Sequence, residues 1–128
     1  MTSILLAEDD TSLRTFLTRA LKKAGYEVMS VGDGEEALEA VRSQHFDLLL
    51  SDIVMPGLDG IELSRRAGRM RPEMRIMFIT GFAAVALNAR NEAPQGAQVL
   101  SKPFHLKDLV EEVNRFLGQE ELVPDTPL

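Results

Sequence analysis

The chain contains no cysteine and no tryptophan, and only one tyrosine. Without a thiol there is no disulfide framework and no thiolate chemistry, and a cysteine-free chain fits a reducing cytosol. A dense basic block is missing as well: 14 lysines and arginines face 20 acidic residues, for a formal net charge of −6. Direct nucleic-acid binding relies on neutralising phosphates, and an anionic membrane attracts basic segments, so neither is expected as a partner. Long apolar runs are also absent. The opening MTSILLAEDD holds only the four-residue run ILLA and no basic stretch, too little for a signal-peptide core or a membrane span. These absences point to a cytoplasmic domain. What is present is a hydrophobic fraction of 45% in 128 residues, which suits one domain with a core of Leu, Val, Ile, Ala and Met.

Short apolar runs alternate with longer segments of helical periodicity. Ser3–Ala7 reads as a buried strand. Leu13, Phe16, Leu17, Ala20, Leu21 and Ala24 then recur at helical spacing, with Asp10 or Thr11 to cap the start and Gly25 to stop it. Tyr26–Val31 reads as a second strand. A Gly-Asp-Gly turn leads into a helix carrying Ala37, Leu38 and Val41. Asp47–Ser51 is a third strand, and Gly60 to about Arg71 a third helix, stopped before Pro72. Arg75–Thr80 is a fourth strand, Ala83–Asn91 a fourth helix and Ala97–Leu100 a short fifth strand. The last helix carries Leu106, Leu109, Val110, Val113, Phe116 and Leu117 and ends at Gly118. Residues 1–118 make one domain. The remainder, QEELVPDTPL, has two prolines and no periodicity and is expected to be a flexible tail. Five strand–helix units imply an α/β fold, a doubly wound five-stranded parallel sheet with five helices.

In such a sheet all strand carboxyl ends share one edge, where ligands bind. The first strand runs into Glu8-Asp9-Asp10, the third into Asp52, the fourth into Thr80, the fifth into Lys102-Pro103. Taken singly these residues are unremarkable. An aspartate after a strand usually serves a turn, a lysine is usually solvated, and a threonine suits a strand. Together they place three carboxylates, a hydroxyl and an ammonium on one edge. Close carboxylates repel unless a cation neutralises them, and an all-oxygen set suits a hard ion, Mg²⁺ before Ca²⁺. A metal, a carboxylate nucleophile, a hydroxyl and an ammonium are the parts needed for phosphoryl transfer. His45 and His105 have neither ligand spacing nor an acidic partner in sequence and are read as structural.

The succession ILLAEDD, LLLSDIVMPGLDG, FITG and LSKPF resembles the receiver domain of two-component response regulators, the CheY-like, flavodoxin-type fold, over roughly Thr2 to Gly118. The resemblance implies Glu8 and Asp9 as metal-binding acids, joined by Asp52 and the backbone carbonyl of Val54. It implies Asp52 as phosphoacceptor, Thr80 as the switch hydroxyl, Lys102 as the phosphate-contacting lysine, and a cis Lys102–Pro103 peptide. It implies Mg²⁺ as the cofactor and a histidine kinase or histidine phosphotransferase as the phosphodonor. One departure stands out: where receivers carry an aromatic three residues before the lysine, this chain has Val99, which has no ring to turn inward.

No further domain is expected after Gly118, which makes the output a protein contact. The stretch IMFITGFAAVALN and the short tail resemble CpdR-type regulators of alphaproteobacteria, adaptors for a Clp-type AAA+ protease. Phe82, Ala84, Val85, Leu87 and Val99 are the candidate interface, because 82–87 holds no polar residue and begins two residues after Thr80. Beyond transferring a phosphoryl group to itself and losing it slowly, the domain is not expected to be an enzyme. Alternatives are a phosphorelay shuttle or chemotaxis-type effector, and, from another class, a Mg²⁺-dependent phosphatase with Asp52 as nucleophile. Phosphatases of that kind need an acid two residues after the nucleophile, where this chain has Val54.

Overall fold

The computed structural model describes residues 1–81, 94, 96–101 and 104–118. Five strands, β1 (Ser3–Ala7), β2 (Glu27–Val31), β3 (Leu48–Asp52), β4 (Arg75–Thr80) and β5 (Gln98–Ser101), form one sheet in the order β2-β1-β3-β4-β5. Every pairing is parallel. The order reverses between β1 and β3, so a crevice opens beyond their carboxyl ends. Four helices are described: α1 (Thr11–Lys23), α2 (Gly34–Ser43), α3 (Gly60–Met70) and α4 (Leu106–Phe116). The helix expected over Ala83–Asn91, the Lys102–Pro103 peptide and the tail 119–128 lie outside the described residues.

Strand periodicity splits the core in two. Ile4, Leu6, Leu48, Leu50, Met77 and Ile79 point to one face, where Leu17 and Leu21 of α1 and Leu109 and Val113 of α4 cover them. Leu5, Leu49, Ile76 and Phe78 point to the other, against Ala37 and Val41 of α2 and Leu63 and Ala67 of α3. β3 lies in the middle and is buried along its whole length, which is why its sequence is a leucine run and not an alternation.

Each of the first three helices starts on an aspartate whose side chain accepts the backbone N–H three residues on: Asp10 from Leu13 at 3.0 Å, Asp33 from Glu36 at 2.8 Å and Asp59 from Glu62 at 2.9 Å. Those bonds satisfy amides that the helix itself leaves open. Between the expected caps Asp10 and Thr11, Asp10 takes the role and Thr11 opens the helix. His105 precedes α4 without a side-chain capping bond.

Several boundaries differ from the sequence reading by one residue. β3 begins at Leu48 and includes Asp52. Asp47 falls just outside, and its carboxylate accepts the N–H of Ser3 at 2.8 Å. β2 begins at Glu27, although Tyr26 is buried and donates its hydroxyl hydrogen to Asn114 of α4; burial pushes that phenol above its ordinary pKa. Phe16, expected in the apolar stripe of α1, is 57% exposed. Leu17 and Leu21 hold the buried line, and Phe16 lies about 100° around the helix from Leu17.

Candidate functional site

The strand ends deliver the site. β1 stops at Ala7, and Glu8, the next residue, is 1% exposed. Its N–H still reaches across to the carbonyl of Val31 at 3.1 Å, which continues the β1–β2 ladder and fixes where its side chain starts. Oε2 of Glu8 accepts the N–H of Asp10 at 3.1 Å, and the Glu8 carbonyl accepts Nη1 of Arg14 at 2.7 Å. Asp9 is exposed. Asp52, the last residue of β3, is 8% exposed and accepts the N–H of Val54 at 3.2 Å.

One carboxylate oxygen from each of Glu8, Asp9 and Asp52 lies within 4.8 Å of the others, and this is the one such cluster of potential metal ligands among the described residues. Two of the three groups are nearly or wholly buried. Burying a carboxylate is costly unless it is paired or set by a cation, and here a third, exposed carboxylate stands within 4.8 Å of the two buried ones. The donor set is oxygen only, so it fits a hard divalent ion of the Mg²⁺ or Ca²⁺ type and not a thiolate or imidazole metal.

Thr80 ends β4 and is fully buried. Asp52 lies in register with Ile79, one residue before it, so the two site residues stand on neighbouring strands at the same edge. Thr80 in turn pairs with Ser101, the last residue of β5. Val54 exposes 49% of its surface, and no acid occupies that position. Val99 is half-buried beside Phe78 on the face covered by α2 and α3. Lys102, Phe82, Ala84, Val85 and Leu87 lie outside the described residues.

Two contributors were not singled out in the sequence. Gly60 opens α3, and its N–H donates to the Ile53 carbonyl at 2.8 Å. A Cβ at Gly60 would come within 2.2 Å of the Asp52 carbonyl oxygen. Only glycine lets α3 sit this close to the backbone that carries Asp52. Arg14 is the other. A cation in the first turn of a helix opposes the helix dipole, and α1 has no acidic residue there. That mismatch, next to an acidic strand end, is the signal that could have exposed it.

The histidines separate. The sequence reading gives His45 no acidic partner in sequence, but its ring sits between two: Nε2 is 3.5 Å from Asp47 and Nδ1 is 3.7 Å from Glu73. Glu73 is 28 positions away in the chain, which is why the sequence did not show it. Both contacts lie at the amino ends of β3 and β4, away from the acidic cluster.

The family model for the response regulator receiver domain matches residues 4–114. The response regulator receiver protein CpdR of Brucella abortus (strain 2308) is 58% identical over 117 residues, covering 91% of this chain and 98% of that protein. Among solved structures, the receiver domain of the hybrid histidine kinase CckA aligns with a TM-score of 0.77 at 36% identity, over 90% of this chain and 98% of that one. The response regulator protein TrrA of Thermotoga maritima, solved in complex with Mg²⁺-BeF, aligns with a TM-score of 0.81 at 28% identity, over 91% and 98%. The motifs that sequence reading put in order, the sheet that gathers them at one edge and these matches agree: the chain belongs to the response regulator receiver domain family.

Proposed function

We propose that this chain is a single-domain response regulator that accepts a phosphoryl group on Asp52 and thereby switches a protein-binding face. The observation that carries this reading is the cluster of Glu8, Asp9 and Asp52 at the carboxyl edge of β1 and β3, with oxygens within 4.8 Å of one another. A carboxylate oxygen of Asp52 attacks the phosphorus of a phosphohistidine on a kinase or phosphotransferase. The new O–P bond forms as the N–P bond breaks and the imidazole leaves. Glu8, Asp9, Asp52 and the Val54 carbonyl are the groups to hold Mg²⁺. When bound, the ion supplies positive charge against the carboxylates and the transferring oxygens.

The chain's own residues do the rest. Asp52 is held at the tip of a fully buried strand, so the nucleophile has little freedom to lose. Glu8 is fixed by its ladder bond to Val31 and by Arg14 on its carbonyl. Thr80 is the hydroxyl to bond the phosphoryl group, and Lys102 the cation to pair with it. Val54 cannot orient a water for hydrolysis, so the phosphoryl group is expected to be lost slowly. The same valine weighs against a phosphatase, which needs an acid there for the leaving group.

The output is proposed to be the adaptor role suggested by likeness to CpdR-type regulators: phosphorylation-controlled contact with a Clp-type AAA+ unfoldase. Phe82, Ala84, Val85 and Leu87, which follow Thr80 in the chain, are the proposed contact residues, together with Val99 of β5. The test uses purified components. Wild type, wild type treated with acetyl phosphate and Mg²⁺, and Asp52→Ala are each titrated against the unfoldase. Treated wild type should differ from untreated, and Asp52→Ala should keep the untreated behaviour under both conditions. Equal binding by all three refutes the adaptor role. Phosphoryl return to a histidine phosphotransferase without unfoldase binding would favour a relay shuttle.

A further inference from the structure

The amino end of the sheet carries a second feature, independent of the acidic edge. Arg65, Arg66, Arg69, Arg71 and Arg75 lie within eleven residues, five of the 14 basic residues of a chain whose net charge is −6. Three of them, Arg65, Arg69 and Arg75, line a groove of about 660 Å³ between α3 and the starts of β4 and β5. Its apolar part includes Ile76, Ala97 and Phe116. Arg69 has no carboxylate within ion-pair distance among the described residues, while Arg65 is 3.7 Å from Glu62. Glu73 is the acid on the groove's rim, and it already faces His45.

The end of α4 is fastened to this groove. Nη1 of Arg75 donates to the Phe116 carbonyl, and the Arg75 guanidinium lies 5.6 Å from the centre of the Phe116 ring. The chain then turns at Gly118, whose φ is +77°. The ten residues that follow, QEELVPDTPL, contain Glu120, Glu121 and Asp125, no lysine or arginine, and the apolar Leu122 and Val123. Ten residues reach up to about 33 Å when extended, and Glu120 comes only two residues after Gly118. An acidic, partly apolar segment therefore starts beside a basic, partly apolar groove. Tethering makes the contact intramolecular, at an effective concentration of about millimolar. The match to CpdR covers 98% of that protein but 91% of this chain, so part of this chain has no counterpart there.

We infer that residues 119–128 dock in cis in the groove formed by Arg65, Arg69, Arg75 and Phe116, with Glu120 and Glu121 against the arginines. The contact lies at the opposite end of the strands from Asp52 and does not depend on the phosphorylation reading.

The absence of cysteine makes the test clean. A nitroxide is attached to Thr126→Cys in the full-length chain, and amide line broadening is read by NMR. Docking broadens the amides of Arg65, Gly68, Arg69 and Ala97 and spares Glu8 and Asp52. Arg65→Glu with Arg69→Glu reduces that broadening at least about fivefold, as does Glu120→Lys with Glu121→Lys, and combining all four substitutions restores it. Raising the salt from about 0.05 to about 0.5 M also weakens it, because exposed charge pairs are screened. Broadening confined to residues 115–118, or indifferent to both charge reversals, overturns the inference. So does broadening of an isotope-labelled, cysteine-free chain by a separate spin-labelled one, which would make a second copy the occupant.

Discussion

Two aspartates flank the same leucine run and have opposite fates. Asp47, just before β3, is satisfied: it accepts the Ser3 N–H at 2.8 Å and sits 3.5 Å from His45. The bond from Ser3 and the nearby imidazole hold its carboxyl below the ordinary value. Its side chain is 41% exposed. Asp52, five residues on at the other end of β3, is 8% exposed and faces Glu8 and Asp9. One carboxylate ties strands together at the amino edge of the sheet. The other stands at the carboxyl edge with an oxygen within 4.8 Å of two further carboxylates. Where each carboxylate sits along the strand, and what faces it there, is the ground for reading Asp47 as structural and for proposing Asp52 as the phosphoacceptor.

The comparison is sharpest in phosphorylation. Asp52→Asn should abolish phosphoryl uptake from acetyl phosphate and Mg²⁺, because an amide is not a nucleophile of this kind, whereas Asp47→Asn should leave the rate within about twofold. Intact mass after timed incubation reads both. Uptake by Asp52→Asn at the wild-type rate would erase the distinction.

The next effect concerns the ion. Glu8→Gln and Asp9→Asn each remove one charge from the cluster and should weaken Mg²⁺ binding by about tenfold or more. Titration calorimetry measures it on the unphosphorylated chain. Asp47→Asn should bind Mg²⁺ as wild type does, since its carboxylate is at the far end of β3.

Gly60→Ala should act on stability and site together. Its Cβ would meet the Asp52 carbonyl at 2.2 Å and the Ile53 Cα at 2.9 Å, so α3 or the end of β3 must move. A cost of about 3 kcal/mol in urea unfolding is expected, with slower phosphorylation. Gly68→Ala is the control, because the nearest atom to its Cβ is the Ile76 Cδ1 at 3.9 Å.

The smallest effect belongs to Asp47. Asp47→Ala should cost about 1 kcal/mol, discounted because the group is partly exposed and screened. Its folded pKa is depressed below 3.8. The stability it contributes is therefore present above about pH 4 and is lost as pH falls through the folded value. The gap between wild type and Asp47→Ala in urea titrations should narrow below pH 4. A gap that widened on acidification would contradict the assignment.

Much of this was legible in the chain, because local patterns carry local information. β4 was read to the residue from RIMFIT, and Asp10, one of the two caps expected for the first helix, is the one that takes the role. Glu8, Asp9, Asp52 and Thr80 were located by the topological rule that gathers strand ends, and the structure brings the three acids together and sets Thr80 on the same edge. What escaped depends on distant partners. Tyr26 with Asn114 and Asp47 with Ser3 join residues far apart in the chain, and the one-residue errors at β2 and β3 arise beside these contacts. The need for glycine at position 60 comes from the backbone of β3, not from its neighbours in sequence. Phe16 was assigned inward because periodicity gives a stripe's spacing but not its width.

The most direct test of the account maps the acceptor. Wild-type chain is phosphorylated with acetyl phosphate and Mg²⁺, then reduced with borohydride, which converts an aspartyl phosphate to homoserine, and the peptides are sequenced by mass spectrometry. Homoserine at position 52 and aspartate retained at positions 9 and 47 is the expected result. Homoserine at 9 or 47, with Asp52 intact, would contradict the division of labour between the two ends of β3.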